Sequence, residues 1–407
     1  MNDPTRVSTS LFPPAYLERR GHYREFMDRH VFPNERLLDL EDDAAHELMA
    51  GLQAKAHATG LWAPHVPPAA GGTGDGFLYY ACLNEEIGRS HWAQLVFGCQ
   101  APDAGNAEIL HQFGTPEQHA RFLEPLVAGR ARSFFSMTEP DVAGSDPTLL
   151  RTRAVLDGDE WVIDGHKWFS SGADESTFGI VFAITDPDAA TYERGTMILV
   201  PTATPGLEVA RPTSVMGHRG RAWNTHCEVR YQGVRVPVAN TLGKRGEAFR
   251  LAQKRHGTGR IHHVMRWLGQ MQRAFDLMCA YSLEREAFGG PLADKQTVQN
   301  WIADSAAGIQ ACRLLTMDTA RKIDEGSEAR VEVSLLKFYA AGVLNEVIDR
   351  AIQVHGARGL TDATPLAQMA MHARAGRIYD GPDEVHRMVV ARRILKSYAA
   401  GGAWQFS

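Results

Sequence analysis

The spacing of apolar residues changes twice along this chain, and that constrains the fold more than any single motif. From Pro14 to about Gly129 the spacing is mostly helical, as in Asp42 to Ala58 and Gly76 to Ile87. Pro116 to Leu126 reads as a further helix, with Thr115 as N-cap and Glu117 in the first turn. PPAAGGTGDG (Pro67 to Gly76) interrupts this region as a loop. From Ala131 to about Leu242 the period becomes two. Leu150 to Leu156 alternates up to Asp157-Gly158, Trp161 to Ile163 leads to Asp164-Gly165, and each Asp-Gly pair is a hairpin signal. Gly179 to Ile184, Thr196 to Val200 and His226 to Tyr231 are further strands, the last ending at Gln232-Gly233. The middle is therefore expected to form a mainly antiparallel sheet or barrel of about six to eight strands.

Long helices return from Glu247. Ile261, Val264, Met265, Leu268, Met271, Phe275, Met278 and Cys279 make one apolar stripe, which ends near Gly289-Gly290-Pro291. Val298 to Ile323, Val331 to His355 and Pro365 to Ile378 give three more helices. A last one begins at Pro382, with Asp383 and Glu384 near its positive end. The expected class is α+β, mainly α: helical over 1–130, β over 131–242 and a helical bundle over 243–407.

At 407 residues the chain is too long for one small core and implies two or three packed domains. Its formal net charge of -5 gives no reason to expect nucleic acid or an anionic membrane as partner. From Lys244 onward, 23 Lys and Arg face 17 Asp and Glu, an excess that suits an anionic ligand. Cys82, Cys99, Cys227, Cys279 and Cys312 are odd in number, scattered and never in CxxC spacing, which argues against a disulfide framework and a zinc site. The start, MNDPTRVSTSLFPP, lacks a basic stretch followed by an apolar run. No run of about 18 apolar residues occurs either, so a cytoplasmic protein is expected. His262 and His263 are adjacent, so they face different sides of a helix and read as polar residues rather than metal ligands. GGTGDG does not follow a strand, so it is a poor dinucleotide loop.

The densest motif is SFFSMTEPDVAGSD, Ser133 to Asp146, where helices give way to strands. Its small and hydroxyl residues expose backbone N–H groups able to receive a pyrophosphate or the edge of a flavin. On residue types alone, an ordinary Gly/Ser turn fits equally well. TEPDVAGSD, however, resembles the first signature of the acyl-CoA dehydrogenase family, and RIYDGPDEVHRMVVARRIL (Arg377 to Leu395) resembles the second. Between them lie DGHKWFSSGA (Asp164 to Ala173), VMGHRG (Val215 to Gly220), EREAFGGPLADKQ (Glu284 to Gln296) and IQVHGARG (Ile352 to Gly359). The resemblance covers nearly the whole chain, with the motifs in family order. It implies a helical domain, a β-barrel and a four-helix bundle, with FAD as cofactor.

Carried over residue by residue, the resemblance places Phe135, Met137 and Thr138 against the flavin, and Gly144 and Ser145 near cofactor or CoA chain. Phe169 and Ser171 stand where the family usually has Trp and Thr, and a hydroxyl at Ser171 can still donate to flavin N5. Arg285 and Phe288, with Gln353 and Gly356, match the site that holds the ADP part of FAD from a neighbouring subunit. The resemblance therefore implies a homo-oligomer, a dimer or a dimer of dimers. Ala357 replaces a common second Gly there. Gln296, Pro382 and Glu384 also fall on cofactor stretches. Ser145, Arg260, Tyr379 and Gly381 fall where the family meets substrate, and a guanidinium at Arg260 suits a CoA phosphate.

Asp380 matches the family's base, which removes a proton alpha to the thioester carbonyl while hydride leaves the beta carbon for flavin N5. That chemistry needs a carboxylate in a dry site and donors for the developing enolate. Most members carry Glu here, one methylene longer, although a subset uses Asp. DGPDEVH, GRIHHVMR (Gly259 to Arg266) and KWFSSGA look most like the branch of vertebrate acyl-CoA dehydrogenase family members 10 and 11, associated with long, branched or 4-hydroxylated acyl chains. The implied partners are an acyl-CoA and, as acceptor, electron-transfer flavoprotein, with a place in fatty-acid β-oxidation. The rivals are a flavin oxidase of the same fold, acting on acyl-CoA or a nitroalkane, and a nucleic-acid-binding flavoprotein.

Overall fold

The structure is a computed structural model that describes residues 11–405; the expectation about the extreme N-terminus falls largely on residues outside that range. Its longer helices are α1 (Pro14–Phe26), α2 (Asp43–Ala58), α3 (Gly76–Ile87), α4 (Asp103–Phe113), α5 (Ala248–Glu284), α6 (Gln296–Asp324), α7 (Arg330–His355), α8 (Leu366–Ala375) and α9 (Asp383–Ala399). Its sheet strands are β1 (Ser133–Ser136), β2 (Arg153–Asp157), β3 (Glu160–Ser171), β4 (Phe178–Ile184), β5 (Gly195–Pro201), β6 (Leu207–Pro212), β7 (His226–Pro237) and β8 (Thr241–Leu242). The chain divides into two compact units. One comprises Asn34–Gly74 and Leu95–Gly259, the other Met1–Pro33, Asp75–Gln94 and Arg260–Ser407.

The first of these carries the sheet, in the order β6-β7-β3-β2-β4-β5-β8, with β1 parallel to β4 off this path. Most pairs are antiparallel, and the described pairings do not join β6 to β8. One face buries Phe134, Trp161, Ile163, Val181, Ile198 and Val229 as a continuous core. Phe134 lies opposite Gly179, where a Cβ would come within 2.3 Å of the Phe134 ring, so only glycine admits that aromatic.

Asp157-Gly158 makes the expected hairpin, with Asp157 opposite Glu160. Asp164-Gly165 does not. β3 runs straight through it, and the pair instead sits at a register shift against β7. A Cβ on Gly165 would lie 2.3 Å from Thr152 Oγ1, so the glycine serves close approach, and Asp164 Oδ1 accepts from the Gly233 amide at 2.7 Å. For the same reason β7 continues past Gln232-Gly233 to Pro237. On the helical side of this unit, Asp42 caps α2 through the Ala45 amide, and Thr115 forms a reciprocal capping box with Gln118.

The second unit is helical. Its α3 is apolar around most of its circumference and is buried from Tyr79 to Ile87. Two acids of that helix, Glu85 and Glu86, are nonetheless buried, because Arg20 of α1 binds Glu86 through two nitrogens and Arg313 of α6 binds Glu85. A Cβ on Gly88 would clash with the Arg266 backbone at 2.2 Å, and one on Gly269 with the Glu85 oxygen at 2.3 Å, so α5 and the end of α3 meet backbone to backbone. The last helix starts at Asp383, one residue later than expected. Pro382 is extended (ψ 157°) and occupies the cap, because Asp383 ties its carboxylate back to Arg377 at 2.7 Å. Before it, α8 is shorter than the expected span, ending at Ala375 ahead of the turn that carries Asp380.

Candidate active site

The chemistry-bearing residues form one group in each unit. In the helical unit the centre is Asp380, on the turn between α8 and α9. Its backbone lies in the left-handed region (φ 54°), followed by Gly381 at φ 102°. A non-glycine residue rarely stays there unless its surroundings hold it. Four contacts do so. Arg260 Nε donates to the Asp380 carbonyl at 2.8 Å, and His386 Nε2 lies 3.2 Å from the same oxygen. Lys337 Nζ donates to the carbonyls of Gly376 at 2.6 Å and Gly381 at 3.3 Å. Gly381 must be glycine, since a Cβ would meet His386 Nε2 at 2.9 Å.

The Asp380 carboxylate is half-buried and meets His263 Nε2 at 2.9 Å through Oδ2. The Tyr379 ring lies 4.6 Å from that imidazole, and Lys337 stands 5.5 Å above the rings of both Tyr379 and Trp267. Burial lowers the pKa values of the cationic groups here. Desolvation brings Lys337 down to about 8, with the Asp380 and Asp383 charges opposing. His386 falls to about 4 from burial and the nearby Arg260 and Lys337 charges. Desolvation also lowers Arg260, against the pull of Asp380.

Arg260 thus directs its Nε to the turn rather than outward. Lys337 lies in no motif of the sequence, and His263 lies in GRIHHVMR with no site role attached to it. Reading His262-His263 as a pair obscured that the helix sends His263 to Asp380, while His262 stacks 5.6 Å from Phe77 and meets Tyr80 edge-on. Elsewhere in this unit, Tyr281 stacks on His355 at 4.3 Å, which joins the last turns of α5 to the end of α7. Arg285, Gln296, Gln353, Gly356 and Glu384 are exposed, and Phe288, in the turn that joins the short strands Glu286–Ala287 and Gly290–Pro291, is fully so, at φ 52°.

In the sheet unit, β1 and its following loop lie against β3. The Trp168 amide donates to the Thr138 carbonyl at 2.8 Å, and buried Lys167 donates to the Met137 carbonyl at 2.8 Å and Glu139 at 2.9 Å. Ser136 and Ser170 bond each other in the interior, and Tyr231 donates to Ser136. Phe135, Met137, Phe169 and Ser171 are only partly covered, and a register shift against β7 between Lys167 and Ser170 breaks the alternation that would put Phe169 on the buried side with Lys167. Phe169 is held at φ 55° with its ring 42% exposed against Trp168. Gly144 folds back so that a Cβ would sit 3.4 Å from Thr138 Cγ2, while Ser145 is exposed next to it. A partly exposed aromatic, a methionine and hydroxyls fit a flat group with one apolar and one polar side. The Ser171 hydroxyl shares a 2.7 Å hydrogen bond with His226 Nδ1, a partner the sequence did not suggest. Burial lowers the pKa of His226.

Three family models match this chain in sequence order: Acyl-CoA dehydrogenase N-terminal domain over residues 15–130, middle domain over 134–234 and C-terminal domain over 246–395. The chain belongs to the acyl-CoA dehydrogenase family. As a member it is an oxidoreductase of FAD-dependent acyl-CoA dehydrogenation. It is 44% identical over 391 residues to the acyl-CoA dehydrogenase FadE2 of Mycobacterium tuberculosis, covering 93% of this chain and 95% of that one. It is 40% identical to acyl-CoA dehydrogenase family member 11 of Gallus gallus, where the match covers 93% of this chain but spans only 51% of the relative's length. Among solved structures, an acyl-CoA dehydrogenase from Mycobacterium abscessus superposes with TM-score 0.89 at 41% identity, covering 95% of this chain and 99% of that one. Tyr379, Asp380 and Gly381 fall within the stretch matched by the C-terminal family model, on the turn that Arg260, Lys337 and His386 hold. Among the described residues, no helix is long and apolar enough to cross a membrane.

Proposed function

We propose that this chain desaturates an acyl-CoA between its alpha and beta carbons, with Asp380 as the base that takes the alpha proton. The observation that carries this reading is the turn at Asp380. A strained aspartate (φ 54°) whose carbonyl and neighbours are tied by Arg260, His386 and Lys337 is held for a purpose beyond turning the chain. Its carboxylate is partly withdrawn from water, which is where a carboxylate gains strength as a base. The Asp380 backbone N–H is the proposed protein donor to the thioester oxygen as charge builds there. Ser145, Arg260, Tyr379 and Gly381 are the proposed substrate residues.

FAD, when bound, supplies the hydride acceptor at N5 of its isoalloxazine. Phe135, Met137, Thr138, Gly144, Ser145, Phe169 and Ser171 are the proposed residues for the ring and nearby chain. Pro382 and Glu384 flank the base as further proposed cofactor residues, while Arg285, Phe288, Gln296, Gln353 and Gly356 hold the ADP part for a neighbouring copy. Their exposure supports that sharing. Phe288 is fully exposed, and Leu283, Leu360 and Leu395 are each more than three-fifths exposed (69%, 70% and 66%), an apolar set that a second copy would cover. We further propose electron-transfer flavoprotein as acceptor, and a cytoplasmic place in fatty-acid β-oxidation that suits five free cysteines.

The test is an anaerobic panel of acyl-CoAs differing in length, branching and 4-hydroxylation, added to the purified flavoprotein while the flavin absorbance is followed. Bleaching with formation of the matching enoyl-CoA by mass establishes the reaction and ranks substrates. If no acyl-CoA bleaches the flavin while a nitroalkane does, with one peroxide formed per turnover in air, an oxidase replaces this reading.

A further inference from the structure

Asp380 has a partner whose protonation the geometry fixes. His263 lies on α5 with Nε2 at 2.9 Å from Asp380 Oδ2. Its other ring nitrogen, Nδ1, is in contact with Nη2 of Arg266, three residues along the same helix. A guanidinium nitrogen can only donate, so Nδ1 must accept and carries no proton. The ring's one hydrogen is therefore on Nε2 and points at the carboxylate.

The opposite assignment fails on charge. An imidazolium would place an N–H on Nδ1 against the Arg266 cation, in a buried setting. Burial, Arg266 and Lys337 together hold the His263 pKa at about 4, against the pull of Asp380. The contact is thus a neutral donor on an anion and not an ion pair. The ring cannot rotate freely, because Tyr379 packs 4.6 Å away and Trp267 lies nearly parallel at 6.1 Å and 17°.

We propose that His263 is a positioning residue for the base: a neutral imidazole, locked by Arg266 as its Nε2–H form, that orients the Asp380 carboxylate and favours its ionised state. This rests on the reading of Asp380 as the base. An aspartate side chain has one methylene less than the glutamate usual in the family, and its direction is set by a single further torsion. A donor fixed from α5 removes that freedom. A hydrogen bond donated to a carboxylate favours its charged form, so the same contact keeps the base ready at lower pH. The other groups facing the pair are Arg260 on α5, Lys337 on α7, Asp383 and His386 on α9, and Tyr379 of the turn itself. His386 is held near 4 like His263, so neither imidazole titrates close to neutrality.

The test compares His263→Phe, which keeps a planar ring without the donor, with His263→Gln, which restores an N–H. For each, kcat and KM are measured as functions of pH, along with FAD content and the flavin spectral change on binding an unreactive acyl-CoA thioether. We expect His263→Phe to lower kcat on the order of tenfold and to move the acid limb of kcat/KM to higher pH. Thioether binding and KM should stay near wild type, and His263→Gln should recover most of both losses. A purely structural histidine would leave the acid limb in place. An unchanged limb in His263→Phe overturns the proposal, as does a Gln variant no better than Phe. Should the Phe variant fail to retain FAD, His263→Met takes its place as the variant without a donor: an acid limb moved to higher pH, recovered in His263→Gln, supports the proposal, and an unmoved limb overturns it. Asp380→Asn separates the two levels. If it still bleaches with substrate, the base reading fails and this role falls with it; if it is inert while His263→Phe behaves as wild type, only the positioning role fails.

Discussion

The ammonium of Lys337 lies 2.6 Å from the carbonyl oxygen of Gly376, with its side chain wholly shielded from solvent. It reaches the turn from α7 and also bonds the Gly381 carbonyl, so one buried cation closes both sides of the segment that presents Asp380. Backbone carbonyls satisfy its hydrogens without neutralising its charge, and this is why burial dominates its proton affinity.

That affinity gives a pH signature. Folded Lys337 titrates near 8 and unfolded lysine near 10.5, so between these values the unfolded chain binds the extra proton. Stability therefore rises with pH across that window. Relative to Lys337→Met, the wild type should gain up to about 3 kcal/mol between the two values and level off above them. Thermal midpoints of both proteins from pH 7 to 11 check this. A wild type that fails to gain on the variant between pH 8 and 10.5, or that loses ground to it, contradicts it.

Glu108 should behave in the opposite sense. Burial raises its pKa to about 7, despite Thr258, Arg255, Gln112 and Lys254 nearby. Here the folded state holds the proton between 4.5 and 7, so its contribution is present below 4.5 and is lost as pH rises through 7. Glu108→Gln should match the wild type at pH 4 and exceed it at pH 8, on the order of 2 kcal/mol after allowance for partial exposure. Urea midpoints at the two pH values are the measurement, and equal gaps at both would count against the assignment.

Phe169 separates cofactor binding from folding. Its ring touches Trp168 at 4.7 Å and His226 at 6.0 Å but is otherwise open, so Phe169→Ala should leave the apoprotein's stability within about 0.5 kcal/mol. Loss of an aromatic partner for the flavin should weaken FAD binding roughly five- to tenfold. Titration of apoprotein with FAD, followed by flavin fluorescence, tests it. An unchanged affinity would remove Phe169 from the flavin face.

Elements governed by local rules were legible in the sequence. Helix α3 appears with its expected ends, and Thr115 caps as its neighbours require, because capping and helical period are set within a few residues. Asp164-Gly165 misled for the converse reason. Its glycine answers to Thr152, a neighbour brought close by tertiary structure, and no local rule distinguishes that from a turn. The strand Leu207–Pro212 was missed because its burial pattern does not alternate cleanly. In the candidate site, family motifs pointed to Asp380, Tyr379 and Gly381. The groups that hold them come from α5, α7 and α9: Arg260, His263, Lys337 and His386. Arg260 and His263 fall in GRIHHVMR and His386 in DGPDEVH, but only Arg260 had a role to go with its motif, because a supporting side chain is recognised by where its tip arrives, over a separation of 120 residues for Arg260 and Asp380.

The most direct measurement is the rate of flavin reduction by stopped-flow absorbance, in anaerobic Asp380→Asn and wild type, with the acyl-CoA that reduces the wild type best. Asparagine keeps the size of the side chain and loses the base. The account predicts that the variant retains FAD and still binds the acyl-CoA, while its reduction slows at least about a hundredfold. Reduction within tenfold of the wild-type rate would show that another group takes the alpha proton.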